Sequence, residues 1–589
     1  MPMTASPLGV CVFPAPGDNA ARTVSYPDYL HEILAHAGVC YTPLAVEELP
    51  ERLPALRLLL TVGEYALPEN TREALRAWVE AGGAWLSVAG TCGLEALFGA
   101  RVEPPTYSGW TSGQGTLGEG YLIARPPAPP LLQAQPIPLH FFNGLPMQAD
   151  GGTVLADVLD AHQRPTSRAA ILENRAGQGR CLLLAPDIPG TVVSIQQGIA
   201  VTRDGVPAPD GTAPLADNVL KSGDGGVLDW IFDRQPVPGT PGLNAFLHPI
   251  ADQWRGLLLR ALFTLAEAQE IALPLLWFYP RNLPALGHLS HDTDINDPEH
   301  AAALLAALKQ ADARSTWCVI LPGYDKALLA AIRAAGGELA THYDALEHPW
   351  SEAEFDRQWR ELCALFAPEV PVSNKNHYLR WEGDTEFFDW CAERGIRLDQ
   401  SKGASKSGEA GFNFGTCHLF FPVGWDGQLR DVLELPTPTQ DLNVFAPDTL
   451  LEPLLEAALR HYGILHLLFH PAHMVKAPVV QAFLRAVARG KESGLEWWTA
   501  RELDAWERAR RRARWRDYSA KNGGAQVTLL LGESLPGATV LWLSPNPRPV
   551  TVNGSPQSAQ TVERWGFRFQ SVVLDAERPG AYRIALAGH

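Results

Sequence analysis

The chain has 589 residues, of which 46% are hydrophobic and 19% charged, with a formal net charge of −17 at pH 7. At roughly 100–200 residues per domain this length suggests about three domains, and the composition is that of a globular protein able to bury large cores. The acidic balance argues against nucleic acid or anionic membranes as principal partners, because both select a basic surface.

The eight cysteines are scattered without a CxxC pair. Neither a disulfide scaffold nor a thiolate metal site is expected. The N-terminal stretch MPMTASPLGVCVFPAPGDN has no basic start and no long apolar core, and no apolar run of membrane-spanning length occurs. A reduced, cytoplasmic setting is therefore expected. The one basic run, Arg508, Arg510, Arg511, Arg512, Arg514 and Arg516, is interleaved with Trp506, Ala509 and Trp515 and reads as the solvated face of a helix.

In chain order, residues 57–62 (RLLLTV) predict a buried strand. A helix follows, with Asn70 as N-cap and Glu73 as its capping-box partner, ended by Gly82-Gly83. Residues 84–89 (AWLSVA) form a second strand running into the turn Gly90-Thr91-Cys92-Gly93, and residues 181–185 (CLLLA) form another. Strand–helix alternation of this kind indicates a parallel sheet. Residues 200–245, rich in Gly, Pro and Asp, read as a long loop region, and 250–268 as a helix.

A second alternating segment follows. Asp297-Pro298 starts a helix with the stripe Leu304, Leu305, Leu308, and STWCVIL (315–321) is a strand. Helices near 325–335, 351–366, 384–393 and 448–462 alternate with the strands ELAT, GIRLD and ILHLLF. Repeated β/α units over some 200 residues suggest a barrel or barrel-like sheet. A helix starts at Thr499 with Glu502 placed for a capping box. Beyond it, residues 525–588 are short alternating strands with an Asn553-Gly554 hairpin turn, which predicts a small β-sandwich.

Four strand-end clusters in the second segment carry chemistry: Ser290-His291-Asp292-Thr293-Asp294; His342 to His348; Asn374-Lys375-Asn376-His377; and His470-Pro471-Ala472-His473. Active groups of a β/α sheet gather at the carboxyl ends of its strands. Neutral imidazoles with a carboxylate suit Zn²⁺ or a similar divalent ion, which acidifies water and polarises a carbonyl. A second carboxylate can take the proton and a histidine can supply one to a leaving group. Asp292, Asp294, His342, His348 and His470 supply all these roles.

On these residues the segment resembles the polysaccharide deacetylase (NodB-homology) superfamily over about 200 residues. SHDTD echoes the opening carboxylate motif, STWCVI the strand after it and GGELATH the approach to the metal. GIRLD echoes the late Asp motif and Leu468-Phe469-His470 the closing one. The resemblance implies a divalent metal, Zn²⁺ as the expected ion, held by Asp294, His342 and His348. It also implies Asp292 as catalytic base, His470 as catalytic acid, Asp399 orienting or tuning the acid, and Lys375 where the family has an arginine beside the base. This sequence departs from the pattern. Thr293 separates the carboxylates, five residues rather than three separate the histidines, and His377 is a rival to His348 as third ligand.

Thr91-Cys92-Gly93 resembles the nucleophile elbow of class I glutamine amidotransferase-like domains. No histidine follows CLLLAPDIPG in the expected place, so Cys92 reads as a buried turn residue and the domain as an accessory one. The expected protein is thus an α/β multidomain chain: an amidotransferase-like (flavodoxin-like) α/β domain at 1–270, a NodB-like β/α barrel at 271–515 and a β-sandwich at 522–589. The expected activity is metal-dependent hydrolysis of an N-acetylated carbohydrate or related amide. A degraded carbohydrate-binding or scaffolding protein, or a glycoside hydrolase, is the alternative.

Overall fold

A computed structural model describes residues 6–14, 22–103, 116–133, 135–214 and 217–588. Part of the N-terminal stretch read for a leader lies outside these residues. The chain divides into two compact units. One comprises Met1–Val192, Gln253–Asn282 and Arg508–His589, the other Val193–Asp252 and Leu283–Glu507. Among the described residues no helix is long and apolar enough to cross a membrane.

The first unit is built on a nine-stranded sheet. Leu8–Val12, Leu58–Val62, Ala84–Val88 and Gly179–Leu184 run parallel, with Thr42–Leu44 outside Leu8–Val12. Their spatial order, 2-1-3-4-5 in chain sequence, is the flavodoxin-like one. Antiparallel strands extend the sheet beyond Gly179–Leu184. The helix expected with Asn70 as N-cap begins two residues earlier, spanning Glu69–Glu80 with Pro68 as N-cap, so the Asn70/Glu73 box is not its cap.

The C-terminal strands of this unit lie in two antiparallel sheets. Pro274–Leu276 pairs with Thr539–Leu543, so the β region is not closed on itself. Asn553 and Gly554, both at positive φ, turn Val550–Val552 back onto Ser555–Gln557, as their residue types require. The arginine run is not a solvated face throughout. Arg508 and Arg510 are buried, Arg510 donates to the His36 carbonyl at 2.8 Å, and Arg511 pairs with the buried Glu32.

The second unit holds eight parallel strands: β1 (Leu286–Asp292), β2 (Thr316–Val319), β3 (Glu338–Tyr343), β4 (Ser373–Asn376), β5 (Leu398–Asp399), β6 (Leu433–Glu434), β7 (Ile464–Leu468) and β8 (Glu496–Trp497). The order is β6-β5-β4-β3-β2-β1-β7, with β8 also on β1. The barrel-like sheet is a half-barrel. β5 and β6 have two residues each, and beyond β6 an isolated bridge joins Gln440 to Leu468 of β7. Helices alternate with the strands as predicted. Asp297 caps Pro298–Ala311 by accepting from the amides of Glu299 and His300, and Thr499 and Glu502 exchange capping-box bonds.

Strand alternation divides β1 between two environments. Leu289 and His291 face the helix layer, where Leu289 packs with Leu304, Trp317, Leu467 and Phe483 in one apolar core. Full burial of each such side chain contributes roughly 1.5–3 kcal/mol. His288, Ser290 and Asp292 share the opposite, concave face, and all three are buried.

Candidate active site

The concave face is polar, and a chain of its donors and acceptors is matched. The Pro436 carbonyl, 2.9 Å from His466 Nδ1, can only accept, so that nitrogen carries the proton. His466 Nε2 then accepts from the Ser290 hydroxyl at 2.9 Å, and Ser290 in turn accepts from the Lys375 ammonium at 2.6 Å. Lys375 Nζ also lies 3.6 Å from Asp292 Oδ1, where it compensates the charge of that buried carboxylate.

Asp294 follows β1 by two residues, on the same side as Asp292. The intervening Thr293 pins the turn: its hydroxyl accepts the Ile320 amide at 3.2 Å and donates to Asn296 at 2.8 Å. Asp294 and Asn296 have φ of 31° and 50°, a left-handed bend that Asp and Asn tolerate best among residues with a side chain. A spacer between the carboxylates thus has a physical basis, because adjacent strand residues point to opposite faces.

His342, on β3, brings Nε2 to 3.3 Å from Asp294 Oδ1 and 4.0 Å from Asp292 Oδ2. Its Nδ1 lies 2.8 Å from the Lys375 carbonyl, which fixes the Nδ1–H tautomer. In the neutral ring Nε2 is then a bare lone pair facing carboxylate oxygens, an arrangement that is favourable only with a cation or proton between them. Burial works against the imidazolium, but Asp292 and Asp294 outweigh it and raise the His342 pKa. The same groups act on Asp294. Burial would raise its pKa, but the bond to His342 and the charges of His470, His342 and His377 lower it.

His377, directly after β4, is built in the same way. Asp344 holds Nδ1 at 3.1 Å, and Nε2 lies 3.9 Å from Asp294 Oδ1. Ligand atoms of Asp294, His342 and His377 all fall within 4.8 Å of one another. This donor set fits a divalent ion: two imidazoles, each with its far nitrogen held by an oxygen, and one carboxylate.

His348 does not join the group. Its Nδ1 lies 3.7 Å from Glu354, and its side chain is 45% exposed. After β3 the chain enters a loop in which Asp344 accepts the Leu346 amide and the Tyr343 hydroxyl donates to Pro349 O. Helix begins only at Glu352, capped by Ser351. This loop carries His348 away from Asp294.

His470 approaches from β7, with Nε2 3.7 Å from Asp294 Oδ2. Its partner is Asp441, not Asp399: Asp441 accepts the His470 amide at 2.8 Å through one oxygen and pairs with His470 Nδ1 through the other. His473 Nδ1 lies 3.1 Å from that second oxygen. Burial opposes the His470 imidazolium, but Asp441, then Asp294 and Asp292, raise its pKa to about 9. Asp399 serves a different network. It accepts from Asn374 Nδ2 at 2.7 Å and Ser401 Oγ at 2.9 Å, and burial raises its pKa.

The residues that sequence reasoning passed over are Asp344, Asp441 and Ser290 as partners. Asp344 carried a signal, being two residues beyond His342 at a strand end. Asp441 carried none, since PTPTQDLN has no periodic pattern.

Cys92 sits at φ 55° after Ala84–Val88 and is buried. Burial and then Glu64 push its thiol pKa well up, the opposite of an activated nucleophile. Glu64 also accepts the Thr91 amide at 2.7 Å, filling the turn with a carboxylate.

No family model matches this chain, and no curated protein matches it. Solved structures similar to it include the β-galactosidase of Rahnella sp. R3, 16% identical over 31% of this chain and 28% of that one, with a TM-score of 0.24. A peptidoglycan N-acetylglucosamine deacetylase is 15% identical over 38% of this chain and 91% of that one (TM-score 0.28). The family 4 carbohydrate esterase of Streptomyces lividans is 15% identical over 36% of this chain and 92% of that one (TM-score 0.24). The chain thus spans less than a third of the β-galactosidase's length and most of the two smaller enzymes'. Likeness at this level carries no argument about chemistry.

Proposed function

We propose that the second unit is a metal-dependent hydrolase of the polysaccharide deacetylase type, removing acetyl from an N-acetylated carbohydrate or cleaving a related amide. The observation that carries this reading is the convergence of Asp294, His342 and His377, whose ligand atoms lie within 4.8 Å of one another, with Asp292 4.0 Å from His342 and His470 3.7 Å from Asp294. Asp294, His342 and His377 would hold a divalent ion such as Zn²⁺. When bound, that ion acidifies water and polarises an acyl oxygen.

The chain's own residues do the rest. Asp292, 3.6 Å from the Lys375 ammonium, takes the proton of the attacking water. Ser290 and His466 hold that ammonium in place from below. His470, protonated on Nε2 and clamped through Nδ1 by Asp441, gives its proton to the departing amine. Lys375, Ser290, His466 and Asp292 are all buried, so the acid–base apparatus works in a site with little bulk water around it.

The test is acetate release from a β-linked N-acetylglucosamine tetramer by the full-length protein supplied with Zn²⁺, compared with Asp292→Asn. Release by the parent, lost in the variant while bound zinc per chain is retained, is the expected result. Equal release by both removes the proposed base. Zinc binding with no release from this or other acetylated sugars would mark a site that has kept its ion and lost its chemistry.

A further inference from the structure

The strands that carry the ion ligands have a second face, and it too is polar. By strand alternation Thr341 and Asn374 point away from the side of His342 and Lys375. Thr341, Asn374, Asp399 and Glu434 are register partners across β3, β4, β5 and β6, and all are buried. Hydrogen bonds run along this row. The Thr341 hydroxyl donates to Asn374 Oδ1 at 2.8 Å, and Asn374 Nδ2 donates to Asp399 Oδ1 at 2.7 Å and to Asn376 Oδ1 at 2.9 Å. Asp399 also accepts the Ser401 hydroxyl at 2.9 Å and the Ser401 amide at 3.1 Å.

One end of the row grips the turn that delivers His377. Tyr378 and Leu379 have φ of 61° and 53°, and left-handed backbone at residues with a side chain persists only where surroundings over-determine it. Ser401 Oγ accepts the Asn376 amide at 2.9 Å, and Asn376 Nδ2 donates to the Arg380 carbonyl at 3.1 Å, which closes the turn. Both holds on Asn376 pass through Asp399. It fixes Ser401 directly, and it fixes Asn374, which orients the Asn376 side chain.

The other end of the row holds a proton. Asp399 and Glu434 are hydrogen-bonded to one another, and neither is exposed to solvent. Two carboxylates cannot bond in this way, because each only accepts, so one of the pair is protonated. Asp399 takes donors from Asn374 and Ser401 on both of its oxygens. Glu434 Oε1 accepts the Lys402 amide at 2.9 Å, whereas Oε2 has no donor among the described residues, as suits an oxygen that carries the proton itself. Burial raises the pKa of both groups, and the charge of Asp399 raises that of Glu434 further. Lys402 is the cation that acts on the pair and on Asp384, with its ammonium 4.0 Å from the Trp381 ring centroid. The Cys391 thiol faces the pair as a neutral group, pushed well up by burial and then by Asp399.

Resting on the metal-site reading above, we infer that Glu434 is a positioning residue for the ion ligand His377: as the protonated partner of Asp399, it keeps that carboxylate gripping Asn374 and Ser401, which hold the turn on which His377 sits. Glu434 touches neither ion nor substrate. An ionised Glu434 would repel Asp399 or take over its role as acceptor, and either change loosens the hold on Asn376.

Zinc affinity by chelator competition, with amide hydrogen exchange over residues 374–381, tests this on the full-length protein. Glu434→Gln keeps a donor towards Asp399 and should leave both readouts within about twofold of the parent. Glu434→Ala should weaken zinc binding about tenfold and speed exchange of the Asn376 amide about tenfold. Ser401→Ala cuts the row at the turn with both carboxyl groups in place and should do the same, so the test stands even where Glu434→Ala does not fold. Added to His377→Ala, neither alanine substitution should weaken zinc binding further, whereas a general loss of structure would. Parent-like affinity and exchange in both alanine variants overturns the inference, as does a loss in Glu434→Gln equal to that in Glu434→Ala. The metal-site reading fails separately: a parent that binds no zinc removes the ion, and exchange at Asn376 then decides whether Glu434 holds the turn.

Discussion

Asp344 holds His377 by its Nδ1 at 3.1 Å, and this bond, not any feature of His348, decides which histidine completes the group around Asp294. With Nδ1 donating to the carboxylate, Nε2 is left as an acceptor on the side of Asp294 Oδ1. Zinc affinity measured by chelator competition should reflect that order. Asp344→Ala is expected to weaken binding about 10–100-fold, as is usual when the oxygen behind a ligating imidazole is removed, and His377→Ala to weaken it further. His348→Ala should stay within about twofold of the parent. A His348 variant that loses the ion as fully as the His377 variant would sink the ligand set.

Asp441 makes a prediction about rate and about pH. It is the leading charge that lifts His470 to about 9 against the effect of burial. Removing that charge lowers the pH at which the imidazolium is lost, so the alkaline limb of kcat should move to lower pH in Asp441→Asn. Loss of the clamped acid should also reduce kcat by about 10²–10⁴-fold, with bound zinc largely retained. A profile that drops in height but keeps its alkaline limb would remove Asp441 as the partner of the acid.

Acid stability follows from histidines that the chemistry does not titrate. Burial, offset only in part by their hydrogen bonds, holds His288 at about 4 and His291 at about 3, and lowers His466 well below its usual value. All three are neutral in the folded chain and take a proton near 6.5 when unfolded. Their contribution to stability is therefore present above about pH 6.5 and lost as pH falls from there towards about 4, at up to about 1.4 kcal/mol per pH unit for each. Urea unfolding across this range should show the decline. His466→Gln, which keeps hydrogen-bonding capacity without titrating, should flatten the slope by about one proton. An unchanged slope would mean that His466 is charged in the fold.

Cys92 should be inert. Its thiol is buried and pushed well above its ordinary pKa by burial and Glu64, so alkylation by iodoacetamide near pH 8 should proceed only after unfolding. Stoichiometric labelling of Cys92 in the folded protein would reopen the nucleophile-elbow reading of the first unit.

Much of the second unit was legible because strands and helices announce themselves by period. Asp297-Pro298 and Thr499/Glu502 mark helix starts by local capping chemistry, which the fold retains. Capping failed at Asn70, where the helix takes in Glu69 and Asn70 and Pro68 occupies the cap. The arginines after Trp506 were misjudged because their pattern shows only that they share a helix. Buried Arg510 and half-buried Arg511 are satisfied by His36 and Glu32, more than 470 positions earlier, and no local signal records such a partner.

The same division runs through the site. By itself the sequence determined which side chains arrive at strand ends, because alternation and strand length are local properties: Asp292 and Asp294 two apart after one strand, His342, Lys375 and His470 at the ends of three others. Tertiary structure alone decided which of them meet and in what state. The loop after His342 carries His348 away from Asp294, an aperiodic segment brings Asp441 under His470, and a stapled left-handed turn places His377 and Tyr378 together. Those outcomes depend on distances between segments tens to hundreds of residues apart, and a linear pattern does not encode them.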